Sequence, residues 1–172
     1  MECDLPNFEN SVLQAVELPY GNGAFAMGVL LPKSHIDIQT FTAQFDENLW
    51  DEIISGFHTS KLTLRLPRFE VKYEKKLNDI LVNMGMVNAF DPLTADFTGI
   101  NRNGGLYIGS VRHHSFVSTD EEGTEAAAVT VVTIELSGMN LMNVNHPFIF
   151  VIYEKTENTI IFMGRVDEPG NL

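Results

Sequence analysis

Two runs near the end of the chain, "HPFIFVIYE" and "TIIFMGRV", are apolar at nearly every position and are separated only by the polar "KTEN". A strand that is apolar on alternate residues needs cover on one face; a strand that is apolar throughout needs it on both. Such a pair must sit inside a sheet with packing on each side. The rest of the chain must therefore supply further strands and something to lie over them. Neither run approaches the about 18 consecutive apolar residues of a bilayer-crossing helix, and nothing else in the sequence does.

Upstream segments can provide the cover. "SVLQAVELPYGNGAFAMGVLLP" holds two apolar-rich runs around Gly21–Gly23, where Asn and Gly tolerate the positive φ of a hairpin turn, and Pro32 closes the second run. The period then changes. Ile38, Phe41 and Phe45 recur at helical spacing, as do Leu49, Ile53 and Ile54. Asp46 suits the N-cap of the second helix, with Leu49, Trp50 and Ile53 on its buried side and Gly56 at its end. "SKLTLRLPRFEVKY" alternates, setting Leu62, Leu64 and Leu66 against Lys61, Thr63 and Arg65, and breaks at Pro67. A short amphipathic helix follows, carrying Leu77, Ile80, Leu81 and Met84 and ending at Gly85. "DPLTADFTGINRNGG" reads as a loop and "LYIGSVRHHSFVST" as a strand. The pattern is β-rich α+β, with three short helices between groups of strands, and 172 residues suit one domain.

Charge narrows the partners. A net charge of -12 and a pI near 4.7 argue against nucleic acid, which needs a basic surface, and against an anionic membrane surface. The first ten residues are acidic and polar, unlike a signal peptide. One cysteine, Cys3, excludes an internal disulfide.

Catalytic motifs are absent: there is no GxSxG, HExxH, phosphate-binding glycine loop or CxxC. Of the five histidines, His113 and His114 are adjacent. Neighbours on a strand point to opposite faces, so the two do not easily share a metal ion, and one buried and one exposed imidazole is the simpler expectation. The acidic pairs Asp46–Glu47 and Asp51–Glu52 read as solvated helix sides. No cofactor is indicated, and the chain does not read as an enzyme.

One stretch stands apart, "EEGTEAAAVTVVTIELSG", Glu121–Gly138. Taken alternately, Thr124, Ala126, Ala128, Thr130, Val132, Ile134 and Leu136 carry no charge. The other set, Glu125, Ala127, Val129, Val131, Thr133, Glu135 and Ser137, includes two carboxylates. This split fits a strand with one buried face. Gly123 allows a sharp turn, and the small residues after it would pass between neighbouring strands without clashes. On this stretch alone, an ordinary edge strand followed by a loop is the simpler reading.

Three segments together resemble the serpin family of protease inhibitors. "MNVNHPFIFVI", Met142–Ile152, matches the family signature, with Asn145, Pro147, Phe148 and the surrounding hydrophobic residues in place. "IIFMGRVDEP" resembles the family's C-terminal strand. "EEGTEAAA", which is Glu121, Glu122, Gly123, Thr124, Glu125, Ala126, Ala127 and Ala128, resembles the hinge of inhibitory members. From Ser11 onward the order of elements is similar to the C-terminal half of a serpin.

The resemblance implies antiparallel sheets with about three short helices, and a reactive loop over about residues 121–143. It implies a suicide substrate for a serine protease: the protease acylates itself on the loop, and the hinge side then inserts into a sheet as a new strand. Glu121 matches the acidic residue at the hinge base and Arg68 its basic partner. His113 matches the histidine beneath the sheet's opening point, which puts His113 inward and His114 outward. The family's usual spacing from Glu121 places the scissile bond between Ser137 and Gly138. A loop one residue shorter, favoured by the distance back from Asn145, places it between Leu136 and Ser137. Ser137 implies an elastase-like target and Leu136 a chymotrypsin-like one. The family resemblance implies an extracellular or periplasmic protein. The half of the fold that would flank the insertion slot is not in this sequence, so inhibition is expected of a whole protein and not of this chain alone. Open sheet edges would favour dimers or strand-swapped oligomers, with Gly123–Thr133 disordered or paired to another chain. The competing expectations are a non-inhibitory serpin-fold binding protein and an independent β-rich domain. The small residues of the hinge favour the inhibitor.

Overall fold

The hairpin read from the sequence forms the middle of the larger sheet. Strands β2 (Leu13–Tyr20) and β3 (Phe25–Pro32) pair antiparallel from Leu13 opposite Pro32 to Tyr20 opposite Phe25. Gly21 and Gly23 turn the chain at φ of 50° and 82°, and the Gly23 amide donates to the Tyr20 carbonyl at 2.8 Å. The computed structural model describes residues 3–119 and 140–170. The chain falls into two compact units, one of Glu70–Val117 and one of the residues on either side of it.

The larger unit is built on a seven-stranded sheet in the order β7-β4-β1-β2-β3-β8-β9. Its other strands are β1 (Cys3–Glu9), β4 (His58–Arg65), β7 (Leu141–Asn143), β8 (Phe148–Glu154) and β9 (Thr159–Val166). Neighbours are antiparallel except β7 and β4, which run parallel. No hairpin joins β4 to β7; the chain reaches β7 from residues 120–139, so no tight turn imposes the antiparallel direction. Strand β1 is not evident from the sequence, because Asp4, Pro6 and Asn7 are poor strand formers. It forms because β4 and β2 offer it ladders on both sides, and the ladder to β2 begins at Asn7, one residue past the donor-less Pro6.

Helices α1 (Ile38–Gln44) and α2 (Glu47–Gly56) cover one face of this sheet. Asp37 caps the first, accepting from the Gln39 and Thr40 amides at 3.0 and 2.9 Å, and Asp46 caps the second through the Leu49 amide at 2.9 Å. Phe41, Trp50 and Ile53 pack on Leu13 and Ala15, on Ala26 and Leu30, and on Ile149, Val151 and Tyr153. The alternate residues Val16, Met27, Val29, Phe148 and Phe150 are buried on the opposite face, where the Phe69 ring stands edge-on to Phe148 at 5.3 Å. Strands β2, β3 and β8 are thus covered on both faces, as their apolar runs require.

Strand β9 is not. Ile160, Ile161, Phe162 and Met163 are exposed, against the expectation of cover on both faces, because β9 ends the sheet and no described residue packs beyond it. The end of α2 also differs in its reason. Gly56 has no left-handed φ; a Cβ there would lie 2.4 Å from the Phe8 ring, so the glycine makes room for β1.

The second unit holds all but the ends of β5 (Phe69–Lys76) and β6 (Arg112–Thr119), which make a two-stranded sheet. Helix α3 (Asn78–Asn83) ends at Gly85, φ 100°, yet its apolar side is open: Ile80 and Met84 are exposed. The strand expected from Leu106 starts only at Arg112. Before that, Ile108 donates to the Ala89 carbonyl at 2.8 Å and Val111 to the Asn78 side chain at 2.9 Å, bonds that divert the backbone from a ladder.

Candidate functional site

The candidate reactive residues, Glu121 to Ala128 and Leu136, Ser137 and Gly138, lie outside the described residues, as does Gly123–Thr133. The structure describes the two anchors from which that segment departs.

The first anchor is the end of β6. Thr119 Oγ1 accepts from the Phe69 amide at 3.2 Å and lies 3.3 Å from the Phe69 carbonyl, to which its hydroxyl donates. Phe69 is buried against Phe148 and Phe150, so Thr119, the last described residue before the candidate hinge, is tied to the core of the larger unit. Arg68, next in the chain, is exposed; Glu121, its expected partner, is outside the described residues.

Within the second unit, β6 has β5 on one edge and no other strand among the described residues. Arg112 Nη1 and His114 Nε2 approach Glu74 Oε1 at 2.8 and 3.8 Å, while the His113 ring lies 6.2 Å from Tyr73. The adjacent histidines therefore address different neighbours on β5. Both are exposed, so the burial expected of His113 is not found: a two-stranded ribbon leaves both faces open, and the described residues do not close either. Phe116 is likewise exposed, beneath the ammonium of Lys72 at 5.5 Å.

The second anchor is β7, three residues seated on β4. The Thr63 amide donates to the Asn140 carbonyl and the Val144 amide to the Arg65 carbonyl, each at 2.8 Å, and Met142 and Val144 are buried. Just beyond, His146 Nε2 lies 2.8 Å from the Pro32 carbonyl and Nδ1 3.0 Å from Asn145 Oδ1. Sequence reasoning counts His146 among the histidines and gives it no role; the available signal is its place within "NHPF".

A second feature missed in the sequence is a buried carboxylate. Glu17 is 5% exposed; it accepts from the Tyr153 hydroxyl and from Lys155 Nζ at 2.6 Å. Burial, and then the neighbouring Glu17, push the Tyr153 phenol far above its ordinary range. Among the described residues no group of three or more histidine, cysteine or acidic side chains converges on one point.

The family described as Serpin (serine protease inhibitor) matches residues 2–169. An uncharacterized serpin-like protein of Thermococcus kodakarensis is 38% identical over 96% of this chain and 40% of its own length. Human Serpin B13 is 37% identical over 88% of this chain and 40% of its own. Among solved structures, the thermophilic serpin tengpin in its native state superposes with a TM-score of 0.74 at 31% identity, covering 98% of this chain and 45% of that one. A serpin from Schistosoma mansoni gives a TM-score of 0.78 at 28% identity, covering 99% and 45%. The chain thus spans about 40% of the curated relatives it matches. With the family matched across almost all of its residues, this chain belongs to the serpins.

Proposed function

We propose that this chain carries the reactive loop of an inhibitor of serine proteases that acts as a suicide substrate, and that the activity belongs to a whole protein of the length of its relatives. The observation that supports this is the position of the hinge sequence. Glu121–Ala128 begins two residues after the end of β6, whose second edge has no strand among the described residues. In this reading the protease's serine attacks the loop at Leu136–Ser137 or Ser137–Gly138 and becomes acylated. The freed segment then enters the sheet beside β6, with the uncharged set from Thr124 to Leu136 inward and Glu125 and Glu135 in solvent. Glu121 pairs with Arg68, and His113 exchanges partners as the new strand arrives.

The drive is conformational. Each backbone hydrogen bond gained by the inserted strand contributes about 1 kcal/mol net, and apolar burial adds about 25 cal/mol per Å². Chemistry is left to the protease. The targets would be elastase-like or chymotrypsin-like. The test is thermal unfolding of a full-length protein that contains this chain, before and after a single cut within residues 136–138. A rise in Tm on cleavage is expected; no rise favours a non-inhibitory serpin.

A second reading concerns the 172-residue chain alone, and the exposed Ile160–Met163 on an edge strand favours it. An open apolar edge recruits strands from other copies. Size-exclusion chromatography at micromolar concentration is expected to show dimers or larger species; a monodisperse monomer would contradict this.

A further inference from the structure

Strand β7 is poorly seated by its own pairing. It is three residues long and parallel, the less stable ladder geometry. Two buried polar atoms on its ladder with β4, Thr63 Oγ1 and Asn143 Oδ1, find no hydrogen-bond partner among the described residues, and each counts against seating. Met142 and Val144 hold it by burial, which is not directional. Something else must set its register.

The end of β3 has the opposite problem, a carbonyl in need of a donor. Pro32 stands opposite Leu13 of β2, but the ladder bond there is made one residue on, from the Lys33 amide to the Val12 carbonyl at 2.8 Å, so the Pro32 carbonyl faces away from β2. On the other edge, β3 pairs with β8 as far as Leu30 opposite Ile149. Two steps further the register brings Pro32 opposite Pro147, which has no N–H. The imidazole of His146 fills this gap at 2.8 Å. A carbonyl only accepts, so Nε2 carries the proton. The Asn145 carboxamide can turn either its oxygen or its nitrogen to Nδ1.

We propose that His146 is a positioning residue. By donating to the Pro32 carbonyl it pins the turn between β7 and β8 to the end of β3, and so holds β7 in register on β4. This gives the histidine of "NHPF" a physical task. The latch is a property of β7 by itself; that it fixes the distal end of a reactive loop rests on the inhibitor reading. The measurement below involves no protease, so the two can fail separately.

The experiment is amide hydrogen exchange by NMR on the 172-residue chain. Thr63 and Val144, whose amides hold β7 in place, are followed beside Val29 and Val151 of the central strands. His146→Leu is expected to speed exchange about tenfold at Thr63 and Val144, the scale of one lost hydrogen bond, and to leave Val29 and Val151 unchanged. His146→Gln, which keeps a donor, is expected to restore protection. Unchanged exchange at Thr63 and Val144 overturns the proposal. So does an equal rise at all four amides, or a Gln variant that behaves like Leu.

Discussion

Tyr153 donates its hydroxyl to the carboxylate of Glu17 across an intervening strand. Glu17 lies on β2 and Tyr153 on β8, and Gly28 of β3 stands between, opposite Glu17 on one side and Val151 on the other. A side chain at Gly28 would rise toward the Trp50 ring, 3.9 Å from its Cβ, and Trp50 stands edge-on to Tyr153 at 5.0 Å. The pair thus meets over the backbone of Gly28, beside the indole ring. Removing one partner strands a buried polar group. Tyr153→Phe is expected to lower stability by about 1–3 kcal/mol. In a double-mutant cycle with Glu17→Gln, read by urea denaturation, the two losses should sum to more than the double mutant loses.

The same pair predicts an alkaline limit. The phenol is held far above its unfolded value of about 10, so the folded state keeps its proton more tightly. That stability is fully present below about pH 10 and declines as pH rises above it. Burial raises the Tyr20 phenol as well. Tyr153→Phe should therefore reduce the alkaline loss, and Tyr20 should account for part of what remains; thermal unfolding from pH 8 to 11 reads it.

At the acid end the helix caps decide. The Leu49 amide first, then the Asn48 side chain, hold the Asp46 carboxyl below its usual range; Thr40 does the same for Asp37, through its hydroxyl first. Depressed values mean that this stability is present above about pH 4 and is lost as pH falls through the folded value. Asp46→Asn should keep the cap and weaken the acid dependence. Asp46→Ala should lower Tm at neutral pH as well. Circular dichroism melts at pH 3 and pH 7 separate the two.

Two glycines are held by rings. A Cβ at Gly164 would lie 2.5 Å from the Phe150 ring and one at Gly56 2.4 Å from Phe8. Phe150 is buried and wedged against Phe69, whereas Phe8 is only partly buried and has more room to yield. Each alanine is expected to cost about 1–3 kcal/mol, more at Gly164, by urea denaturation. Phe8→Leu should recover part of the Gly56→Ala loss.

Local chemistry made part of this fold legible. The glycines around Asn22 mark the hairpin, Asp46 with Leu49, Trp50 and Ile53 marks α2, and the unbroken apolar run of β8 demands the double cover it receives. What failed depended on distant partners. Nothing near Pro6 encodes a strand; β4 and β2 impose one. A carboxylate in "VELPY" reads as solvent-facing until Gly28, Tyr153 and Lys155 are brought to it. His146 acquires a role only when Pro32, more than a hundred residues earlier, presents its carbonyl. Ile160–Met163 and His113 were expected to be covered and are open, since the described residues offer nothing to lie on them. The residues from Glu121 to Ala128 and from Leu136 to Gly138 rest on sequence and family likeness.

The central claim is that the segment between β6 and β7 is a bait whose cleavage traps the protease. The most direct measurement is a denaturing gel, with mass spectrometry, of a full-length protein containing this chain after incubation with elastase and chymotrypsin. The account expects a covalent complex that survives denaturant, with the smaller loop fragment released by a cut between Leu136 and Gly138. Clean cleavage or no cleavage, without any covalent complex across a panel of serine and cysteine proteases, would contradict it.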